Sequence, residues 1–75
     1  MNNFDKIAAI EYWQDDPFLD SLTCEVNSNH QPLVGVVTEC DIVVLKCLEC
    51  DYAQSYIPSN VFDHYSRKVL NDYNF

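Results

Sequence analysis

The chain has 75 residues, with four cysteines, twelve acidic side chains and four basic ones, and its formal net charge is −8. We expect one domain over 1–75. A domain of this size buries only about 60% of the surface of its unfolded chain, so it needs an additional stabilising element such as disulfides or a structural metal ion. The charge repels phosphate backbones and anionic lipid, so we expect no direct nucleic-acid partner. No apolar run approaches the length of a membrane span, so we expect a soluble protein and no membrane partner.

The first predicted element is a helix over residues 3–13, which an asparagine at its start can cap. Residues three or four apart define its predicted face: Phe4, Ile7, Ala8 and Glu11. Asp16 precedes a proline, which pushes it out of the helical region and ends the helix. We expect Trp13 and Phe18 to lie in the core, because large aromatic side chains are mostly buried.

A β-hairpin follows, with strands predicted over 33–37 and 42–45 and a connection over 38–41. A third strand is predicted over 52–57, and a second helix over about 59–73. The apolar face of that helix is predicted to comprise Phe62, Tyr65, Val69 and Tyr73, with Leu70 beside them. The predicted fold class is therefore α+β: a small zinc ribbon with a three-stranded antiparallel sheet, flanked by an N-terminal and a C-terminal helix.

Some single residues carry expectations of their own. Gly35 is the only glycine, and its place inside a strand favours a bulge or a close backbone approach. His64 has no nucleophile at a matched position, so we expect a solvated helix histidine. Asp15, Asp16 and Asp20 lack the alternating pattern of a calcium loop, and we expect them to form a solvated acidic turn.

Four residues have the type and spacing of metal ligands. Cys24 and His30 have five residues between them, Cys47 and Cys50 have two, and the hairpin folds one pair back onto the other. Thiolate sulfur and imidazole nitrogen are the donors that Zn²⁺ binds tetrahedrally, so these four residues predict one structural Zn²⁺ site. Cys40 lies in the predicted hairpin turn, pointing away from both pairs, and we interpret it as a spare cysteine.

A Cys-x-x-Cys pair can also be a redox dithiol, and this remains an alternative for Cys47 and Cys50. The strand pattern that follows the pair differs from the helix N-terminus that activates such thiols. Met1 to Ile10 lacks the features of a secretory signal, so we expect the reducing cytoplasm, where a metal is the commoner use of cysteine.

The segment from Leu22 to Ile57 resembles a zinc ribbon. It is similar to the very small zinc-ribbon-like proteins of tailed bacteriophages, in the phrases L-T-C, N-H-Q-P-L and L-K-C-L-E-C-D-Y-A-Q-S-Y-I-P-S. Ribbons often carry a proline inside the second ligand pair and a glycine after it, where this chain has Leu48, Glu49 and Asp51. The resemblance covers about half of the chain and implies a viral protein in the host cytoplasm that binds within nucleic-acid machinery.

We therefore expect a non-catalytic adaptor or regulator that binds a host or viral protein. The acidic first third of the chain predicts a partner with a basic surface, contacted through Trp13, Asp15, Asp16 and Asp20. One alternative is an acidic mimic of nucleic acid that blocks a basic cleft of an enzyme. Another is the dithiol oxidoreductase described above.

Overall fold

The computed structural model describes the backbone of residues 2–73 and the side chains of residues 2–69. Within that range the chain forms helix α1 (Asn3–Asp15), strands β1 (Val34–Val37), β2 (Val43–Lys46) and β3 (Ala53–Gln54), and helix α2 (Ser59–Tyr73). The strands form one antiparallel sheet in the order β1-β2-β3. The predicted α+β class, with a three-stranded sheet and a helix at each end, is confirmed.

Helix α1 begins with Asn2 as its N-cap, whose side chain accepts a hydrogen bond of 2.8 Å from the backbone N–H of Asp5. Its buried residues are Ala9 and Ile10. The predicted face is buried only in part: Ile7 packs against the core, whereas Phe4 is 80% exposed and Glu11 is exposed as well. Helical spacing finds residues that share a stripe, but this helix has apolar residues on several stripes, and packing against the sheet selects one of them.

Strands β1 and β2 pair in continuous register from Val34↔Lys46 to Val37↔Val43. The connection is one residue longer than predicted, because β2 begins at Val43. Within it, Asp41 adopts a left-handed φ of 62°, a conformation that aspartate tolerates better than most residues. The Asn3 side chain donates to the carbonyl and carboxylate oxygens of Asp41 at 2.9 and 2.8 Å, which ties the turn to the start of α1.

Gly35 lies where α1 crosses the sheet, and its neighbours leave no room for a side chain. A Cβ at this position would lie 2.8 Å from Cδ1 of Ile10 and 3.0 Å from Cδ1 of Ile7. A close approach to Gly35 was predicted and is present. It is made by side chains of α1, and not by the backbone of another element. The continuous pairing of β1 with β2 shows no bulge at this glycine.

We expect Gly35→Ala to destabilise the protein by about 1–2 kcal/mol. Overpacking costs about 1–3 kcal/mol, and reduced freedom of the unfolded chain returns about 0.4–1 kcal/mol. Ile10→Val removes Cδ1, so Gly35→Ala should cost less in that background. Thermal unfolding of the two single variants and the double variant measures this coupling. Strictly additive effects would contradict a clash between these two residues.

Strand β3 is shorter than predicted, with only Ala53 and Gln54 paired to β2. The Gln54 side chain donates to the carbonyl oxygen of Tyr56 at 2.8 Å. This local bond satisfies a backbone group that a longer strand would have paired with its neighbour. The chain therefore leaves the sheet soon after Gln54 and enters α2.

The core lies between the sheet and the two helices. Its buried residues are Ala9, Ile10, Cys24, Leu33, Val43, Leu45, Cys47 and Val61. Phe62 and Tyr65 of α2 pack against it as predicted, whereas fully buried Val61 lay outside the predicted face. The side chains of Leu70 and Tyr73 lie outside the described residues.

Of the two aromatic side chains expected in the core, one lies against it and the other does not. Phe18 is 94% exposed, because it follows a turn in which its own backbone N–H binds the carboxylate of Asp16 at 2.9 Å. Trp13 is half-buried against the core, and its indole N–H donates to the carbonyl oxygen of Asp20 at 2.9 Å. The tryptophan thus fits its predicted role and the phenylalanine does not.

His64 and Asp16 form a pair where we expected solvated side chains. The imidazole Nε2 lies 3.1 Å from Oδ2 of Asp16, with the two side chains 16% and 13% exposed, and the imidazole ring packs edge-on against Trp13. The Phe18 N–H, His64 and Lys68 hold the pKa of the Asp16 carboxyl below its ordinary value of 3.8. The ionised Asp16 carboxylate therefore stabilises the fold above pH 3.8, and this contribution is lost as the pH falls through the lowered pKa of Asp16.

Neither helix within residues 2–73 combines the length and the apolar character needed to cross a bilayer.

Candidate metal centre

The loop from Cys24 to His30 is shaped by Asn27. The Asn27 side chain accepts a hydrogen bond of 3.0 Å from the backbone N–H of Asn29, and its carbonyl accepts one of 3.0 Å from the N–H of His30. Asparagine closes such turns through its own side chain, so the loop curls back without a glycine. This turn returns the chain, so that the imidazole of His30 lies near the sulfur of Cys47 on the hairpin.

The second pair of cysteines follows directly from β2. Cys47 comes after the last residue of that strand, and its backbone N–H donates to the carbonyl of Tyr52 at 2.9 Å. Between the two cysteines, the carboxylate of Glu49 accepts a hydrogen bond from the backbone N–H of Gln31. That bond links the tight turn around Cys47 and Cys50 to the residue after His30.

The structure brings the four predicted ligands to one point. The sulfur atoms of Cys24, Cys47 and Cys50 and a ring nitrogen of His30 all lie within 4.8 Å of one another. Cys24 Sγ and Cys50 Sγ are 3.6 Å apart, and Cys47 Sγ is 3.5 Å from His30 Nδ1. The hairpin thus delivers one ligand pair onto the other, as the spacing predicted, and the arrangement is compatible with a zinc ribbon. These four residues could bind a metal ion.

The interatomic distances can be compared with those of a tetrahedral zinc site. Bond lengths of about 2.3 Å to sulfur and about 2.05 Å to nitrogen place two sulfurs about 3.8 Å apart and sulfur and nitrogen about 3.5 Å apart. The separations of 3.6 Å for Cys24–Cys50 and 3.5 Å for Cys47–His30 are close to both values. The donor set, three thiols and one imidazole, is also one of the standard structural zinc sets.

The surroundings of the cluster lower the pKa of the Cys24 thiol and raise the pKa of the Cys50 thiol. Burial raises the pKa of Cys24, but the backbone N–H groups of Asn27 and Val26, which donate to its sulfur, lower that pKa by more. The net pKa of Cys24 therefore lies below its ordinary value. The Tyr52 N–H lowers the pKa of Cys50, but burial and the sulfurs of Cys24 and Cys47 raise it, and the net pKa rises. Neighbouring thiolates repel one another, so a bound cation is what allows all three to ionise together.

Cys40 stays outside this cluster. It is exposed in the hairpin turn, where its backbone N–H donates to the Thr38 hydroxyl at 3.3 Å. The other three cysteines are buried or half-buried, and all three belong to the cluster. This placement agrees with the interpretation of Cys40 as a spare cysteine.

Gln14 of helix α1 binds the backbone at both ends of the segment that carries Cys24 and His30, and the sequence did not lead us to predict it. Its amide nitrogen donates to the carbonyl oxygens of Leu22 and Leu33 at 2.9 and 2.8 Å, and its amide oxygen accepts from the N–H of Leu22 at 2.8 Å. These leucines flank the Cys24–His30 loop, and the N–H of Leu33 also donates to the carbonyl of Leu22 at 2.9 Å. The sequence feature that could have predicted this role is the spacing of Gln14, four residues after Ile10 and therefore on the same face of the helix.

The predicted partner-binding residues do not form one set. Asp15 and Asp20 are exposed, whereas the carboxylate of Asp16 is engaged by Phe18, His64 and Lys68. Trp13 lies against His64, with ring centroids 5.5 Å apart, and binds the backbone of Asp20. Asp15 and Asp16 line a groove at the end of α1, and neither Trp13 nor Asp20 lines it.

Comparisons of the chain with protein-family models, with curated proteins and with solved structures each found no match. The fold and the cluster therefore define its class: a small α+β protein in which a hairpin assembles a Cys₃His cluster beside the core.

Proposed function

We propose that the chain is a non-catalytic adaptor or regulator, stabilised by a structural zinc ion, that docks on a protein of the nucleic-acid machinery. The observation that carries this proposal is the Cys₃His cluster of Cys24, His30, Cys47 and Cys50. Four protein ligands fill a tetrahedral zinc ion and leave no position for a water or a substrate. The metal would hold the two loops together and perform no chemistry.

The ligand set favours zinc over magnesium or calcium. Cys24, Cys47 and Cys50 offer thiolates, which select soft or borderline ions over magnesium or calcium. Buried Cys24 and Cys47 are members of the core itself, so metal binding and core assembly are one event. Structural zinc contributes about 10–16 kcal/mol in small zinc-finger peptides, which would decide whether so small a core folds.

The surroundings of Cys47 and Cys50 also support a structural role over dithiol chemistry. Cys47 is fully buried after β2, and Cys50 precedes β3, so neither thiol lies at a helix N-terminus that would activate it. A reactive dithiol needs an accessible attacking sulfur, and the most accessible thiol of this chain, Cys40, has no neighbouring cysteine in sequence.

Metal analysis tests this proposal directly. Protein purified without added zinc should carry one zinc per chain by mass spectrometry, and a chelator should abolish its cooperative unfolding transition, followed by circular dichroism. Less than half an equivalent of zinc in a protein that still unfolds cooperatively in chelator would defeat the proposal.

The binding part of the proposal is supported by charge. The net charge of −8 becomes more negative when three thiolates bind one zinc ion, and the chain has only four basic residues against twelve acidic ones. Such a surface repels nucleic acid and attracts a protein patch rich in lysine and arginine. The resemblance to phage zinc-ribbon proteins supports a viral origin and a partner in the host cytoplasm. A captured partner that competing DNA displaces would favour the nucleic-acid mimic instead.

A further inference from the structure

A groove of about 410 Å³ lies beside the end of α1, a volume within the range of about 300–1,000 Å³ typical of ligand sites. We call it the acidic groove; its lining residues are Glu11, Tyr12, Asp15, Asp16, Pro17, Phe18 and Lys68. It is separate from the Cys₃His cluster, none of whose residues lines it.

Two carboxylates of the groove are left uncompensated. Glu11 and Asp15 are exposed, and among the residues whose side chains are described neither has an ion-pair partner. They stand one helical turn apart, an arrangement in which like charges repel and destabilise the helix. The cation in the groove, Lys68, is 3.9 Å from Asp16, which also binds His64. Among the residues whose side chains are described, no cation neutralises the pair on α1, so a cation from a partner could do so.

Exposed aromatic rings flank the same carboxylates. Phe18 is 94% and Tyr12 48% exposed, although burial of such side chains is favourable. An aromatic ring attracts a cation over its face, and arginine does this more often than lysine. Arginine also presents five N–H donors in a planar fork that can bridge two carboxylates, whereas lysine is a point charge.

We infer that the acidic groove binds an arginine side chain of a basic partner segment, held by Glu11 and Asp15 and packed against Tyr12 and Phe18. This inference rests on the proposed adaptor function and narrows its contact surface. Charge complementarity selects the occupant: three carboxylates against one lysine leave the groove with a net negative charge. The two rings give it the apolar walls that a free small cation would not need.

The test uses zinc-loaded, ¹⁵N-labelled protein and the blocked peptide Gly-Arg-Gly-Arg-Gly. Amide shifts should concentrate at Glu11, Tyr12, Asp15 and Phe18, and affinity should fall as salt rises above about 0.1 M, where the Debye length is about 10 Å. Glu11→Gln with Asp15→Asn should weaken binding several-fold and at most about thirtyfold, the effect of losing two exposed ion pairs of up to about 1 kcal/mol each. Replacing the arginines by neutral, isosteric citrulline should abolish it.

Matched variants control for net charge and for loss of an aromatic ring. Glu39→Gln with Asp63→Asn removes the same charge from exposed positions outside the groove and should leave affinity within about twofold at 0.1 M salt. Phe18→Ala should weaken binding, whereas Phe4→Ala, an exposed ring at the other end of α1, should not.

Failure of this inference is distinguishable from failure of the proposed function. A zinc-loaded, folded protein that ignores the peptide, or binds the citrulline peptide equally, overturns the groove and leaves the zinc-stabilised adaptor standing. Equal weakening by the two charge variants also overturns it, since only net charge would then matter. A folded protein without zinc overturns the proposed function, whatever the peptide does.

Discussion

Cys47→Ser is expected to release the metal and unfold the protein, whereas Cys40→Ser should leave metal content and fold unchanged. Cys47 is fully buried and combines two roles, as a member of the core and as a member of the cluster, with its sulfur 3.5 Å from Nδ1 of His30. A serine hydroxyl supplies no thiolate to the metal. It also places a polar hydroxyl group in the core, where burial without a hydrogen-bond partner is unfavourable. Cys40 is exposed and contributes to neither.

The size of this effect follows from the ratio of the two energies involved. Structural zinc binds with an apparent free energy of about 10–16 kcal/mol, while a whole small domain is stable by only about 5–15 kcal/mol. A core of about this size rarely supplies more than about 3–5 kcal/mol by itself, so loss of the zinc contribution is expected to unfold the protein. Zinc content by mass spectrometry and helical signal by circular dichroism should therefore fall together in Cys47→Ser.

The paired substitution also checks the ligand assignment. Both variants replace one cysteine by serine within the same hairpin region, but Cys47 is fully buried and Cys40 is exposed, so zinc content, and not stability, is the readout that reports on membership of the cluster. A Cys40→Ser protein that loses zinc, beside a Cys47→Ser protein that keeps it, would mean that the ligand set and the hairpin register are wrong.

The cluster could be predicted from sequence because its determinants are local. The two-residue gap between Cys47 and Cys50 fixes a tight turn, and two short apolar strands that pair on either side of the connection at 38–42 fix how the chain folds back on itself. Asn27 supplies the turn that returns the chain to His30. None of these steps needs knowledge of how the helices pack.

Two of the wrong predictions depended on packing between distant elements, whereas the one for Phe18 depended on a local turn. The buried side of α1 is chosen by the space beside Gly35, twenty-five residues beyond Ile10 in the chain. His64 becomes half-buried because Asp16 and Trp13 meet it from α1, forty-eight residues away in the first case. Phe18 is exposed because the turn at Asp16 directs it outward, against the general tendency of phenylalanine to be buried.

Gln14→Ala is expected to destabilise the protein by about 2–3 kcal/mol, the largest effect we predict for a residue outside the metal cluster. The Gln14 amide makes three hydrogen bonds to the backbone of Leu22 and Leu33, all of them part-buried. Truncation leaves two carbonyl oxygens and one N–H short of a partner. Of these three groups, the Leu22 carbonyl is the one that keeps another bond within the described part of the chain, from the N–H of Leu33.

The expected consequence reaches the metal site through the loop that Gln14 anchors. Leu22 and Leu33 hold the two ends of the segment that carries Cys24 and His30, so a freer loop must be ordered again each time the metal binds. Gln14→Ala should therefore weaken zinc affinity as well as lower the unfolding temperature, measured by competition with a chromophoric chelator and by thermal denaturation. Glu11→Ala, an exposed truncation one turn earlier in the same helix, is the control and should change both by little. If Gln14→Ala lowers stability in the chelated protein alone and leaves zinc affinity intact, the glutamine supports the core and not the metal loop.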